Sequence, residues 1–405
     1  MTLQRCFPVG PSMMVVVVVL AMAFLPASLA ADNATPNGAP TVHNPKFSSI
    51  EYYRQLLRES KPRLEVPAEK SQIPAWRDQV ATRFREILGI NNCQPAELKP
   101  QTTDLGARRG YRLHRVVFSS EPHADVPGLL LIPDGVSAEN PAPAVLCLHG
   151  NVPGAKEELA GESTPSADLG LGLYHDDYAR QFAQKGVIAF AIDLRDSGER
   201  RHYEDYKGSP LMIKDNDLPD EPWRQASGLM AIPLGRSYSG LCVFDAIRAI
   251  DYMITRPEVN PSALGCVGFS AGATYAAWLT VLDRRIKYVG LSGTSAGNRR
   301  GLANNYHRRR PSGVIPGFYV DLDADLCLAA MAPTPMILAR DWNQRRPEKA
   351  PEVPVVRQVY EGFGAGADCQ FAYGEREGHV WHGDVVVPWV MERLGAIGSK
   401  HRVRE

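Results

Sequence analysis

The sequence predicts an α/β fold built on a doubly wound, mostly parallel sheet, with helices on both faces. Two observations carry that expectation. Apolar, strand-like runs alternate with helical segments, from "APAVLCLHG" through "YARQFAQKG", "VIAFAIDLRDSGER", "LCVFDAIRAIDYMITRP" and "ALGCVGFSAG" to "RIKYVGLSG". Alternation of this kind implies parallel strands joined by crossover helices. In addition, "VGFSAGAT" places Ser270 between two glycines where a buried strand gives way to the helical run "TYAAWLTVLD". A sharp strand-to-helix turn favours glycine on both sides, because it demands strained angles and close approach of helix to sheet.

The elements follow in order. Residues 1–30 read as a signal peptide, with Arg5 as the basic start, "MMVVVVVLAMAFL" as the apolar stretch and "PASLA" as the small residues before cleavage after Ala30. The apolar stretch is short for a bilayer span, which needs about 20 residues. The expected mature chain is therefore secreted or periplasmic, without stable membrane insertion. Residues 31–46, rich in Pro, Asn, Ala and Thr, read as a flexible leader. Residues 47–100 form an expected helical extension. Its segments "SSIEYYRQLLRES" and "IPAWRDQVATRFREILGI" repeat apolar residues at three- and four-residue spacing, so each predicts a helix with one buried face.

Residues 101–398 make up the expected catalytic domain. "YRLHRVVFSS" and "PGLLLIP" predict an antiparallel entry to the sheet, and the alternating segments follow. Residues 201–236 and 294–330 interrupt the alternation and predict loop insertions over a pocket at the strand ends.

Charge excludes some partners. Lys and Arg number 45 against 45 Asp and Glu, so net charge gives no field favouring nucleic acid. Six cysteines follow the signal segment, but no Cys-x-x-Cys pair occurs, and neither a zinc site nor a dithiol redox site is indicated. "DLDAD" at 321–325 lacks the glycine and distal glutamate of a calcium loop and reads as a solvated acidic stretch. No metal and no cofactor are expected.

A serine hydroxyl becomes a nucleophile when a base takes its proton, a carboxylate orients that base and N–H donors stabilise the oxyanion. Ser270 on its turn is the candidate nucleophile. His379 in "YGEREGHVWHG" follows the last strand-like run, "CQFAYG", and is the candidate base; His382, three residues on, reads as a surface histidine. Asp341 ends "TPMILARD" and completes the chain order Ser, acid, His. The Ala271 amide, just after the serine, and the Asn151 amide in "LCLHGN" are the expected oxyanion donors. His149 lies too early in the chain to be the base, and His149-Gly150 shapes the exit from its strand.

These residues resemble the secreted α/β-hydrolases of the acetyl xylan esterase and dienelactone hydrolase-like group. The resemblance is carried by "LCLHGN", "AIDLRDSGER", the block from Asp245 to Gly293 and "EGHVWHG", and covers roughly residues 110–395. It implies an α/β-hydrolase fold, a serine acyl-enzyme with Ser270 as nucleophile and His379 as base, and no cofactor. The chain departs from the group after the penultimate strand, where "ILARDWNQRRP" lacks the usual glycine and places Gln344 near the position of the acid. The resemblance implies a small-molecule or polysaccharide ester as substrate, acetyl esters first. A lactone hydrolase and a degenerate hydrolase that binds carbohydrate without turnover remain open beside it.

Overall fold

The computed structural model describes residues 45–151, 154–163, 176–201, 221–293, 302–304, 313–340 and 353–402. The expected signal peptide and nearly all of the leader lie outside them. By its contacts the chain divides into Met1–Ser49 and Ile50–Glu405. All but a few of the described residues lie in the second.

The strand β4 (Ala142–Leu148) illustrates why the sheet is buried on both faces. Ala144, Leu146 and Leu148 enter one apolar core while Val145 and Cys147 enter the other, so the run is apolar throughout. β5 (Ile188–Ile192) repeats the pattern: Ile188, Phe190 and Ile192 face the first core, Ala189 and Ala191 the second. The other strands are β1 (Gln101–Arg108), β2 (Tyr111–Glu121), β3 (Ala124–Pro133), β6 (Val259–Phe269), β7 (Val289–Ser292), β8 (Met336–Arg340) and β9 (Cys369–Tyr373).

Their order in the sheet is β1-β2-β3-β5-β4-β6-β7-β8-β9. The first three strands enter antiparallel, and β5 through β9 run parallel. The chain therefore turns one way from β4 to β5 and the other way to β6. In an open α/β sheet that reversal leaves a crevice beyond the carboxyl ends of the strands. Loops from β4 and β6, which are neighbours, meet there.

The helices are α1 (Ser49–Glu59), α2 (Ile73–Ile87), α3 (Ala155–Ala160), α4 (Tyr178–Ala183), α5 (Glu221–Ala231), α6 (Tyr238–Ile254), α7 (Ala271–Leu282), α8 (Phe318–Asp321), α9 (Ala324–Ala329), α10 (Pro354–Gly362) and α11 (Gly383–Arg402). Helices α2, α6, α7 and α10 contribute to one core, and α3, α4 and α11 to the other. α2 buries Ile73, Trp76, Val80 and Phe84. Its Arg77 is buried too, donating to the carbonyls of Ala330 at 2.9 Å and Val281 at 2.8 Å. Burial pulls that guanidinium down to about 10.

Four expectations need correction. α1 forms where expected but buries none of its residues, and Tyr52 and Tyr53 are exposed. Its apolar spacing describes a stripe that the described residues do not cover. β1 was not expected as a strand: it is an edge strand, mostly exposed, whose polar residues lack the apolar alternation that marks a half-buried strand. "DLDAD" is not simply solvated. Asp321 is buried and paired with Arg83 at 2.7 Å, while Asp323 caps α9 by accepting the Ala324 N–H at 2.7 Å. His382 is fully buried rather than a surface residue.

Candidate active site

Ser270 stands between the last residue of β6 and the first of α7, at φ 56° and ψ −118°. A non-glycine residue held at positive φ costs of order 1–3 kcal/mol, and the surrounding contacts must hold it there. The two flanking glycines explain how the turn closes. A Cβ at Gly268 would lie 2.3 Å from the Gly272 carbonyl oxygen, and one at Gly272 would lie 1.9 Å from the Leu148 carbonyl oxygen. Glycine at both positions lets α7 start hard against β4 and β6. The Ser270 N–H donates to the Ser292 carbonyl at 2.9 Å, tying the turn to the end of β7.

His379 lies in the loop between β9 and α11, following Gly378 at φ 90°. Its Nε2 is 2.8 Å from Ser270 Oγ, so the serine hydroxyl can donate to the ring. The Phe269 ring packs on the imidazole with centroids 4.7 Å apart. The loop is anchored from below by Ser292. Its hydroxyl accepts the His382 N–H at 2.9 Å and donates to the Val380 carbonyl at 3.4 Å. The buried His382 is thus part of the loop's footing. Its backbone holds the segment that carries His379.

Asn151 and Ala271 line the same cavity as Ser270, one at the exit of β4 and the other at the start of α7. The Ala271 amide is the first N–H of its helix, a position with no acceptor inside the helix. His149 is not exposed to that cavity's chemistry. It is fully buried, its Nε2 accepts the Leu194 N–H at 3.0 Å, and its Nδ1 lies 2.6 Å from the Gly150 carbonyl. This pattern requires the Nδ1–H tautomer, a neutral ring. Burial pushes its pKa down to about 3, against a smaller opposing effect of the Gly150 carbonyl. Asp341 directly follows β8 and lies outside the described residues.

The cavity has a volume of about 370 Å³. Its wall combines polar residues, Asn151, Arg224 and Ser239 among them, with apolar and aromatic ones such as Trp278, Ile315 and Phe318. Arg224 comes from the first insertion, and Leu302, Val314, Ile315, Phe318 and Tyr319 come from the second. The described parts of both insertions therefore wall the pocket. Sequence reasoning placed the insertions over a pocket but did not single out Arg224 or the aromatic residues. Arg224 is buried and donates to Ser197 Oγ at 2.8 Å, a contact between distant segments that no local pattern announces. Among the described residues, no group of His, Cys, Asp or Glu is arranged to hold a metal ion.

Known proteins share this architecture. A Bacillus subtilis (strain 168) protein described as "Putative hydrolase YtaP" is 25% identical over 204 residues, half of this chain. The chain spans 59% of that relative's length. Among solved structures, one from Bacteroides fragilis NCTC 9343, described as a "putative acetyl xylan esterase", superposes with a TM-score of 0.69 at 21% identity, over 88% of this chain and 96% of its own. A glucuronoyl esterase from Solibacter usitatus superposes with a TM-score of 0.53 at 16% identity, over 84% of this chain and 97% of its own. These likenesses establish the α/β-hydrolase fold. The Abhydrolase family model matches residues 43–348, well over half of the chain, and the chain belongs to that family.

Proposed function

We propose that the protein is an exported serine carboxylic-ester hydrolase that works through an acyl-enzyme. The observation that carries this reading is the 2.8 Å contact between His379 Nε2 and Ser270 Oγ, made on a strained turn beside a cavity. Ser270 Oγ attacks the ester carbonyl while His379 takes its proton. The Ala271 and Asn151 amides stabilise the tetrahedral oxyanion, and His379 then protonates the departing alcohol. Water enters next, gives a proton to the same ring and attacks the acyl-serine, releasing the acid and restoring the hydroxyl. Asp341 is the proposed acid. Its place directly after β8, between Ser270 and His379 in chain order, supports that role.

Small acyl groups on polysaccharide are the proposed substrate, acetyl esters first. The aromatic residues in the cavity wall suit the apolar faces of sugar rings, and the structural neighbours include proteins described as acetyl xylan and glucuronoyl esterases. Export rests on the character of residues 1–30.

The test is hydrolysis of p-nitrophenyl acetate and of acetylated xylan by the mature chain beside its Ser270→Ala and Asp341→Asn variants. Loss of the nucleophile is expected to cost at least about 10³-fold in kcat, and loss of the acid about 10³- to 10⁴-fold. A Ser270→Ala protein as active as the wild type would refute the mechanism. Inertness of all three proteins on every ester would favour a carbohydrate-binding role.

A further inference from the structure

The loop that carries Asn151 is held at both ends by the loop that follows β5, and the second hold is a buried ion pair that none of the chemistry above uses. Its first hold is at His149, whose Nε2 accepts the Leu194 N–H at 3.0 Å. Its second is at Lys156. There the Nζ donates to Asp193 Oδ2 at 2.7 Å and lies 2.9 Å from Glu199 Oε1, while the Lys156 backbone N–H donates to Asp193 Oδ1 at 3.2 Å. The side chains of Lys156 and Asp193 are both fully buried. Asp193 also accepts the Glu199 N–H at 2.9 Å, and Glu199 is held from outside by Arg115 at 2.5 Å. The Lys156 Nζ also donates to Glu157 Oε1 at 2.5 Å, so three carboxylates, of which only that of Asp193 is fully buried, and a backbone amide converge where α3 begins, five residues beyond Asn151.

Stability alone gives a poor account of this pair. Removing two charges from water is costly, and well-packed apolar residues in place of a buried ion pair are often neutral or stabilising. What the pair supplies instead is direction. Asp193 bonds both the side chain and the backbone of Lys156, which fixes the end of the loop in position and orientation. Donors to an oxyanion must be held in place before the reaction, and a misplacement of about 1 Å can cost on the order of 10²-fold in rate.

We propose that Lys156, pinned by Asp193, is a positioning residue that sets the Asn151 amide against Ser270. The inference rests on the proposed role of that amide in ester hydrolysis, so the experiment reads loop order and turnover separately. Lys156→Met and the charge-balanced Lys156→Met/Asp193→Asn are compared with the wild type by peptide-level hydrogen exchange and by p-nitrophenyl acetate kinetics.

Exchange across 148–156 is expected to rise about tenfold or more while the β6–α7 segment, 263–282, stays protected. kcat is expected to fall about 10- to 100-fold, with KM within about threefold of the wild type. If Lys156→Met does not fold, the double variant, which removes both buried charges, carries both readings. Unchanged exchange across 148–156 overturns the inference whatever the turnover. Faster exchange with unchanged kcat, in an enzyme whose turnover vanishes in Ser270→Ala, also overturns it. A wild type with no Ser270-dependent turnover refutes the ester-hydrolase reading instead, and hydrogen exchange alone then decides whether Lys156 orders the loop.

Discussion

Gly272→Ala gives a sharp test of how tightly the elbow is built. The added Cβ would meet the Leu148 carbonyl oxygen at 1.9 Å and the His149 carbonyl oxygen at 2.6 Å, where ordinary contact begins near 3.4 Å. Both obstacles are backbone, so no rotamer relieves the clash. α7 and the β4 exit must separate by up to about 1.5 Å, and overpacking of this kind costs roughly 3 kcal/mol at its upper range. At about 2.1 cal/mol/K of unfolding entropy per residue, a unit of this size should lose about 4 °C in Tm. The same separation moves the Ala271 and Asn151 amides apart. A displacement on the 1 Å scale implies about a 100-fold loss in kcat/KM, or about 2.7 kcal/mol of transition-state stabilisation. Thermal unfolding and p-nitrophenyl acetate kinetics on one preparation measure both effects. A variant with wild-type Tm and wild-type rate would refute the claim that the glycine is there for close approach.

Further outcomes follow from the same geometry. Ser292→Ala leaves the buried His382 N–H without its 2.9 Å acceptor, so denaturant unfolding should show a loss of about 1–3 kcal/mol. Turnover should fall several-fold with it as the His379 loop loosens; a variant matching the wild type in both would sink the anchoring role. His149 stays neutral in the fold because burial pushes its pKa down to about 3, against 6.5 for an ordinary imidazole. The unfolded chain therefore takes up its proton first, and the contribution is full above about pH 6.5 and lost as pH falls toward 3, at up to about 1.4 kcal/mol per unit. His149→Asn should flatten the acid limb of a Tm-against-pH curve, and curves that stay parallel would contradict the burial. No disulfide joins any of the six described cysteines, and burial pushes the Cys93 thiol up to about 12 and Cys242 up to about 11. Reductant should leave Tm unchanged, and thiol reagents should count six groups in the denatured mature chain; a Tm that drops on reduction would reveal a disulfide instead.

Legibility in the sequence followed burial. Strands such as β4 and β6, enclosed on both faces, write themselves as apolar runs, and the Gly-Phe-Ser-Ala-Gly turn is visible because close backbone approach admits only small residues at fixed offsets. β1 escaped notice because an exposed edge asks little of its side chains. The expectation for α1 went too far, since apolar spacing describes a stripe but not what covers it. At the site, Ser270 and His379 could be placed together because each follows a strand end, and the fold brings strand ends together. His382 misled because its burial depends on Ser292, some ninety residues earlier in the chain. The Lys156–Asp193 pair and Arg224 were hidden for the same reason: their partners lie far off in sequence, and a lone charged residue looks like surface until its partner is seen.

The cavity divides its labour along the chain. Ser270, Ala271 and Asn151 stand just beyond strand ends and His379 in the loop after β9; Tyr238, Tyr275 and Trp278 line the cavity from α6 and α7, whereas Arg224, Leu302, Val314, Ile315, Phe318 and Tyr319 come from segments inserted between the sheet elements. Insertions of this kind can lengthen, shorten or change composition without moving a strand. A lineage built this way can revise what it accepts while keeping the proposed reactive residues in place, and an engineer can exchange the inserted part of the pocket wall as a cassette.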